Sequence, residues 1–125
     1  SLTLRFIEFM PLEADQIWSR DRVLTADQIV QTLAEDGIPV EPILKADPSA
    51  PADEYRYVDG QGRLGIIASV SKPFCGDCNR IRITADGHLR NCLFAIEETD
   101  IRGPMRTGAS DEQIAEMVRQ SVSAK

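Results

Sequence analysis

Tyr55-Arg-Tyr-Val-Asp-Gly-Gln-Gly-Arg-Leu-Gly-Ile-Ile-Ala-Ser-Val70 is the stretch on which the fold turns. Tyr55 to Val58 and Leu64 to Val70 are rich in the aromatic and β-branched residues that suit a pleated surface. Between them, Asp59-Gly-Gln-Gly62 supplies glycines able to take the positive φ of a tight turn, so the two runs predict a β-hairpin. The pattern recurs once. Ile81 to Thr84 and Leu89 to Leu93 flank Ala85-Asp-Gly-His88, again with a D-G turn. Strands joined by so few residues pair antiparallel, because a parallel pair needs a long crossover.

Working outward, Leu2-Thr-Leu-Arg-Phe-Ile-Glu-Phe-Met10 reads as a further strand ending at Pro11. Its nearly continuous apolar character predicts cover on both faces, as in a parallel sheet. Pro11 to Arg22 reads as loop, with Trp18 as a packing anchor. Thr25-Ala-Asp-Gln28 has the form of a capping box, followed by Ile29, Val30 and Leu33 at helical spacing and by Gly37 as the stop. Ala46 to Asp53 is a Pro-containing connection. Ser110-Asp-Glu-Gln113 is a second capping box, continued by Ile114, Met117, Val118 and Val122 as an amphipathic helix. The predicted class is α+β: two hairpins in an antiparallel sheet, one further strand, and two to three helices. Residues 1–45 form a strand-and-helix part and 46–125 a second part, packed as one compact unit.

The chain has 125 residues, the size of one ordinary domain. No apolar run reaches the ~18 residues of a membrane helix. No leader-like segment opens the chain, which starts without Met, so the expectation is a piece of a longer cytoplasmic protein. A net charge of −6 argues against a nucleic-acid binder, which needs a basic face for phosphates. The charge is unevenly spread, however. From Lys72 to Cys92, four basic residues (Lys72, Arg80, Arg82, Arg90) face two acidic ones (Asp77, Asp86), leaving −8 on the remainder. Such a basic island is where a small anion binds.

Three cysteines, Cys75, Cys78 and Cys92, lie within eighteen residues. An odd count without an export signal suits a reducing compartment and points to a metal. Cys75-Gly-Asp-Cys78 sits in a loop, and the Asp86-Gly87 turn would fold Cys92 back toward it. Three unligated thiols acting as small hydrophobes is the bland alternative, poorly matched to a Gly/Asp/Asn loop. Structural zinc would use Cys75, Cys78, His88 and Cys92 as a Cys₃His set, unless His88 at its turn tip simply points into water. An iron–sulfur cluster would use the three thiolates and leave one iron open. Spacing alone leaves zinc and iron–sulfur level.

Phe74-Cys-Gly-Asp-Cys-Asn-Arg-Ile-Arg-Ile-Thr-Ala-Asp-Gly-His-Leu-Arg-Asn-Cys-Leu93 closely resembles the C-terminal cluster motif of the molybdenum cofactor biosynthesis protein A family, the GTP 3′,8-cyclases. Leu4-Arg-Phe-Ile-Glu-Phe-Met-Pro11 resembles that family's last barrel strand, and Asp100-Ile-Arg, Arg106-Thr-Gly and Ser110-Asp-Glu resemble its C-terminal helical region. The resemblance implies an incomplete α/β barrel enzyme of the radical S-adenosylmethionine type. That enzyme converts GTP to (8S)-3′,8-cyclo-7,8-dihydroguanosine 5′-triphosphate for molybdopterin formation. It further implies a 4Fe-4S cluster on Cys75, Cys78 and Cys92 whose open iron takes the guanine end of GTP. Arg80 and Arg82 match paired arginines that contact GTP and support catalysis. Arg5 matches a strand arginine on the GTP side, and Met10 a residue lining the S-adenosylmethionine site.

The residue chemistry agrees, since alternate residues of a strand share a face and arginine makes charge-assisted, bidentate bonds to phosphate and purine edges. The bland readings are a solvated hairpin face for Arg80 and Arg82, an ion pair with Glu8 or another acidic neighbour for Arg5, and packing for Met10, Trp18, Tyr55 and Tyr57. The family's N-terminal C-x-x-x-C-x-x-C motif, which holds a second 4Fe-4S cluster and cleaves S-adenosylmethionine, is absent from the sequence, as are most of the barrel and the double-glycine tail. The expectation is therefore a portion that binds a cluster and GTP but is not catalytically competent alone. Without the N-terminal barrel as partner, the exposed first strand predicts a homodimer or strand exchange.

Overall fold

A computed structural model describes residues 2–12 and 17–125. Of the loop expected over 11–22, residues 13–16 lie outside the described residues; Arg20–Arg22 forms a single 3₁₀ turn. The chain divides into two compact units, Ser1–Cys78 and Asn79–Lys125. This differs from a division at 45 and 46, a point that falls between two strands of one sheet.

In the first unit, β1 (Leu4–Ile7), α1 (Ala26–Glu35), β2 (Val40–Ile43), β3 (Asp53–Tyr57) and β4 (Arg63–Ile67) follow in chain order. They build a four-stranded sheet in the order β1-β4-β3-β2. β3 and β4 form the expected hairpin, pairing antiparallel with Tyr55 opposite Leu64. β1 pairs parallel to β4, Leu4 opposite Leu64 and Ile7 opposite Ile67, so the sheet is mixed. β2 is a strand the sequence pattern does not predict, and it contains Pro42. On an edge strand the missing proline N–H faces away from the ladder, so the strand forms nonetheless.

Leu64 and Ile66 alternate with Gly65 along β4 and share its inner face, where both are completely buried. Ala26 and Ile29 of α1 and Ala68 close over them, flanked by Phe6, Val30, Leu33, Val40, Tyr55 and Tyr57. Each of the two large side chains contributes on the order of 1.5–3 kcal/mol by leaving water. α1 is held at both ends as its sequence predicts. Thr25 and Gln28 exchange capping-box bonds. Past the last turn, Gly37 (φ +77) donates to Ala34 O and Ile38 to Leu33 O, the two bonds of a Schellman stop. The expectation of a first strand covered on both faces is not met: Leu4 is 54% and Ile7 57% exposed, and β1 is shorter than the apolar run. Apolar composition marks a strand but cannot show whether something lies on its far side.

The second unit holds β5 (Arg82–Ile83), β6 (His88–Arg90), β7 (Thr99–Asp100), α2 (Arg102–Arg106) and α3 (Asp111–Ser123). Its sheet is antiparallel in the order β5-β6-β7. The expected hairpin is present, though with shorter strands, and β7 adds a pair too brief to show alternation in sequence. Leu89 and Ile101 are buried, and Asn91 Nδ2 donates to Ser121 O at 3.0 Å, tying the end of β6 to α3. The Ser110–Gln113 capping box opens α3 as read. Among the described residues no helix is long and apolar enough to cross a membrane.

Candidate metal centre

Cys75–Asp77 forms one 3₁₀ turn, closed by the Cys78 N–H donating to Cys75 O at 3.3 Å. With three residues per turn, positions i and i+3 share a face, so Cys75 and Cys78 lie on the same side of the turn. Gly76 between them has nothing within 4 Å of where a Cβ would stand, so the turn is open to solvent there. These two thiols end the first unit. In the second unit Cys92 follows β6, and the Phe94 N–H donates to its Sγ at 3.4 Å. All three cysteines are thiols with no disulfide between them. Among the described residues no three His, Cys, Asp or Glu side chains are already gathered around one point. Cys75 and Cys78 on this solvent-open turn are a pair of soft donors of the kind a thiolate-held centre uses.

His88 begins β6, with Nδ1 3.2 Å from Asp86 Oδ2, at ion-pair distance but off the line of a hydrogen bond. The Thr84 hydroxyl, donating to Asp86 at 2.5 Å, is the main cause holding that carboxyl below its ordinary value; His88 adds less. The ring is thus drawn toward the turn carboxylate rather than fully turned into water.

Within the basic island, Lys72 and Arg90 form ion pairs. Lys72 Nζ lies 2.6 Å from Asp27 Oδ1, and Arg90 pairs closely with Glu98. Arg82 stands directly opposite Arg90 across β5 and β6, so the two guanidinium groups leave the same face. Glu98 offsets the charge of Arg90, which leaves the cationic field of that face to Arg82. Arg80 precedes β5 rather than sharing it, and its carbonyl accepts from Lys125 Nζ at 2.8 Å. The alternate-strand argument therefore does not apply to the pair.

Arg5 lies 3.5 Å from Glu54, not from Glu8, and the bare Gly65 opposite makes room for its stem. Met10 is half-buried just past β1, and Trp18 Nε1 donates to Phe9 O at 2.8 Å. Glu8 is the residue the sequence reading undervalued. It is 2% exposed and accepts from Ala26 N (2.9 Å), Val70 N (2.8 Å), Ser71 N (2.7 Å) and the Ser71 hydroxyl. Its signal was present: one carboxylate inside an otherwise apolar strand run. Burial alone would raise its carboxyl, but the bonds from Ser71, Val70 and Ala26 outweigh this and hold it below the ordinary glutamate value.

A family model described as Molybdenum Cofactor Synthesis C matches residues 2–125. The GTP 3′,8-cyclase of Rhodopirellula baltica is 49% identical over 127 residues, covering 100% of this chain and 35% of that protein. The GTP 3′,8-cyclase of Rhodococcus opacus is 48% identical over 118 residues, covering 94% of the chain and 33% of that protein. That of Streptomyces coelicolor is 44% identical over 122 residues, covering 98% and 36%. The chain thus spans about a third of the length of the curated relatives it matches. With the cysteine turn, the arginine face and a match running from Leu2 to Lys125, the chain belongs to the Molybdenum Cofactor Synthesis C family.

Proposed function

We propose that this chain is the C-terminal, 4Fe-4S- and GTP-binding portion of a cytoplasmic GTP 3′,8-cyclase, a radical S-adenosylmethionine lyase of molybdenum cofactor biosynthesis. The observation that carries this reading is the tight Cys75–Cys78 turn, in a chain matched to the family along its length. Cys75, Cys78 and Cys92 hold the cluster, and when bound a three-thiolate 4Fe-4S cluster supplies an iron with an open position for a substrate atom.

Arg82, with Arg90 already neutralised by Glu98, directs its guanidinium charge at the anionic substrate, and Arg80 adds a second fork. Both act catalytically by orienting GTP and balancing its charge. Arg5 contacts GTP by exchanging Glu54 for a substrate oxygen, and Met10 lines the S-adenosylmethionine site. The complete reaction also needs S-adenosylmethionine and a second 4Fe-4S cluster, for which this sequence carries no C-x-x-x-C-x-x-C motif.

The test is anaerobic reconstitution with iron and sulfide, followed by metal analysis and GTP titration. The expected result is a brown chain with about four irons, whose GTP affinity falls roughly ten- to hundredfold in Arg82→Ala while the iron content stays the same. A colourless chain holding one zinc that is lost in His88→Ala overturns the reading in favour of a structural Cys₃His module.

A further inference from the structure

The Glu8 carboxylate gathers three separate parts of the first unit. One oxygen accepts from the N–H of Ala26, the first residue of α1, and from the Ser71 hydroxyl; the other accepts from the N–H groups of Val70 and Ser71. Glu8 itself extends β1, its N–H donating to Ile67 O at 3.1 Å. The segment it grips is locked twice more: Lys72 N–H donates to Ala68 O at 3.1 Å, and the Lys72 ammonium reaches Asp27 in the first turn of α1 at 2.6 Å. Only Lys72, Pro73 and Phe74 separate this clamp from Cys75, and the ring of Pro73 fixes one of the few torsions in between.

We infer that Glu8 is the positioning residue that anchors the Cys75–Cys78 turn, fixing where two of the cluster's thiolates are presented. The inference rests on the assignment of those cysteines as cluster ligands. Every donor–acceptor relation around Glu8 requires an anion with two acceptor oxygens. A Gln in its place must turn an NH₂ toward either Ala26 N–H and the Ser71 hydroxyl or two backbone N–H groups; the hydroxyl can turn to accept, but at least one backbone N–H is left facing a donor. The N-terminus of α1 loses at most one partner and the apolar core none, while the segment leading into the cysteine turn is released.

The experiment compares wild type, Glu8→Gln, Ser71→Ala and the core control Leu64→Ala as reduced, metal-free chains under iodoacetamide, with the rate at each cysteine read by mass spectrometry. Cys78 and Cys92 are both half-buried, so Cys92 is an internal reference. The expected result is that Glu8→Gln speeds modification of Cys78 roughly tenfold while Cys92 is unchanged, and that Ser71→Ala does the same to a smaller degree. Leu64→Ala, which weakens the core of the same unit but leaves the clamp intact, should speed Cys78 less than Glu8→Gln does, and an equal effect in the two overturns the anchor.

Reconstituted Glu8→Gln should also lose iron to a chelator faster than wild type. Equal acceleration at Cys78 and Cys92 in both Glu8→Gln and Ser71→Ala, or none in either, overturns the anchor whatever the iron content. A wild-type chain that takes up no iron overturns the cluster assignment instead, and a Cys78-selective response beside it still supports the anchor. If Glu8→Gln does not fold, Ser71→Ala, which deletes one donor of four, decides the question.

Discussion

Glu8 and Leu64 show how differently a buried polar and a buried apolar side chain act. Leu64 gains by leaving water, whereas a buried carboxylate loses its hydration and is tolerated only where donors replace it. The four donors around Glu8 more than do so, which is why its carboxyl sits below the ordinary glutamate value despite burial. The consequence has a definite sign. A folded-state pKa below the unfolded one means the stabilisation is fully present above the unfolded value and is lost as the pH falls through the folded one. Stability measured by urea denaturation should therefore decline on the acid side of the ordinary glutamate range. Glu8→Gln should be less stable by roughly 2–3 kcal/mol at neutral pH, with a flatter acid limb. An unchanged acid limb in Glu8→Gln would assign that decline to other carboxylates.

Turns decide matters at the scale of elements. The β5–β6 connection is built by Thr84, whose N–H donates to His88 O and whose hydroxyl accepts from the His88 N–H, with Gly87 at φ +84. The Gly87 carbonyl also accepts from both Ile101 and Arg102, bringing the hairpin tip against the start of α2. A Cβ on Gly87 would stand 2.6 Å from Arg102 Cβ, closer than real atoms approach, in addition to the left-handed backbone cost. Gly60, in the β3–β4 turn, has φ +76 but nothing within 4 Å of its missing Cβ. Gly60→Ala should thus cost only the backbone term, about 1–2 kcal/mol. Gly87→Ala should cost clearly more, read as a larger drop in the denaturation midpoint; equal costs would mean that the hairpin tip and α2 separate easily.

For the whole molecule, surface character sets behaviour. A net charge of −6 opposes self-association at neutral pH, but it is a diffuse term. Among the described residues β1 borders β4 on one side and no strand on the other, and it exposes Leu4 and Ile7, so it is an edge strand with apolar side chains. The expected outcome is concentration-dependent dimerisation through this edge, visible by sedimentation velocity and abolished by Ile7→Lys. A clean monomer at high concentration counts against it.

The sequence by itself determined the α+β class, both hairpins, both capping boxes, the helix stop at Gly37 and the loop position of Cys75 and Cys78. These depend on contacts a few residues apart: a D-G pair sets its own turn, Thr25 caps its own helix, and Cys75 and Cys78 share one turn whatever surrounds them. Tertiary structure alone decided the rest. It made β1 an exposed edge paired parallel to β4, let β2 form around Pro42, and spent Lys72 on Asp27 and Arg90 on Glu98. It also turned Glu8, read as a charge beside Arg5, into a buried clamp on residues sixty positions away. Such choices depend on which groups meet across long stretches of chain. Local composition carries no record of those meetings, because a carboxylate in a strand looks the same in sequence whether it faces water or four donors.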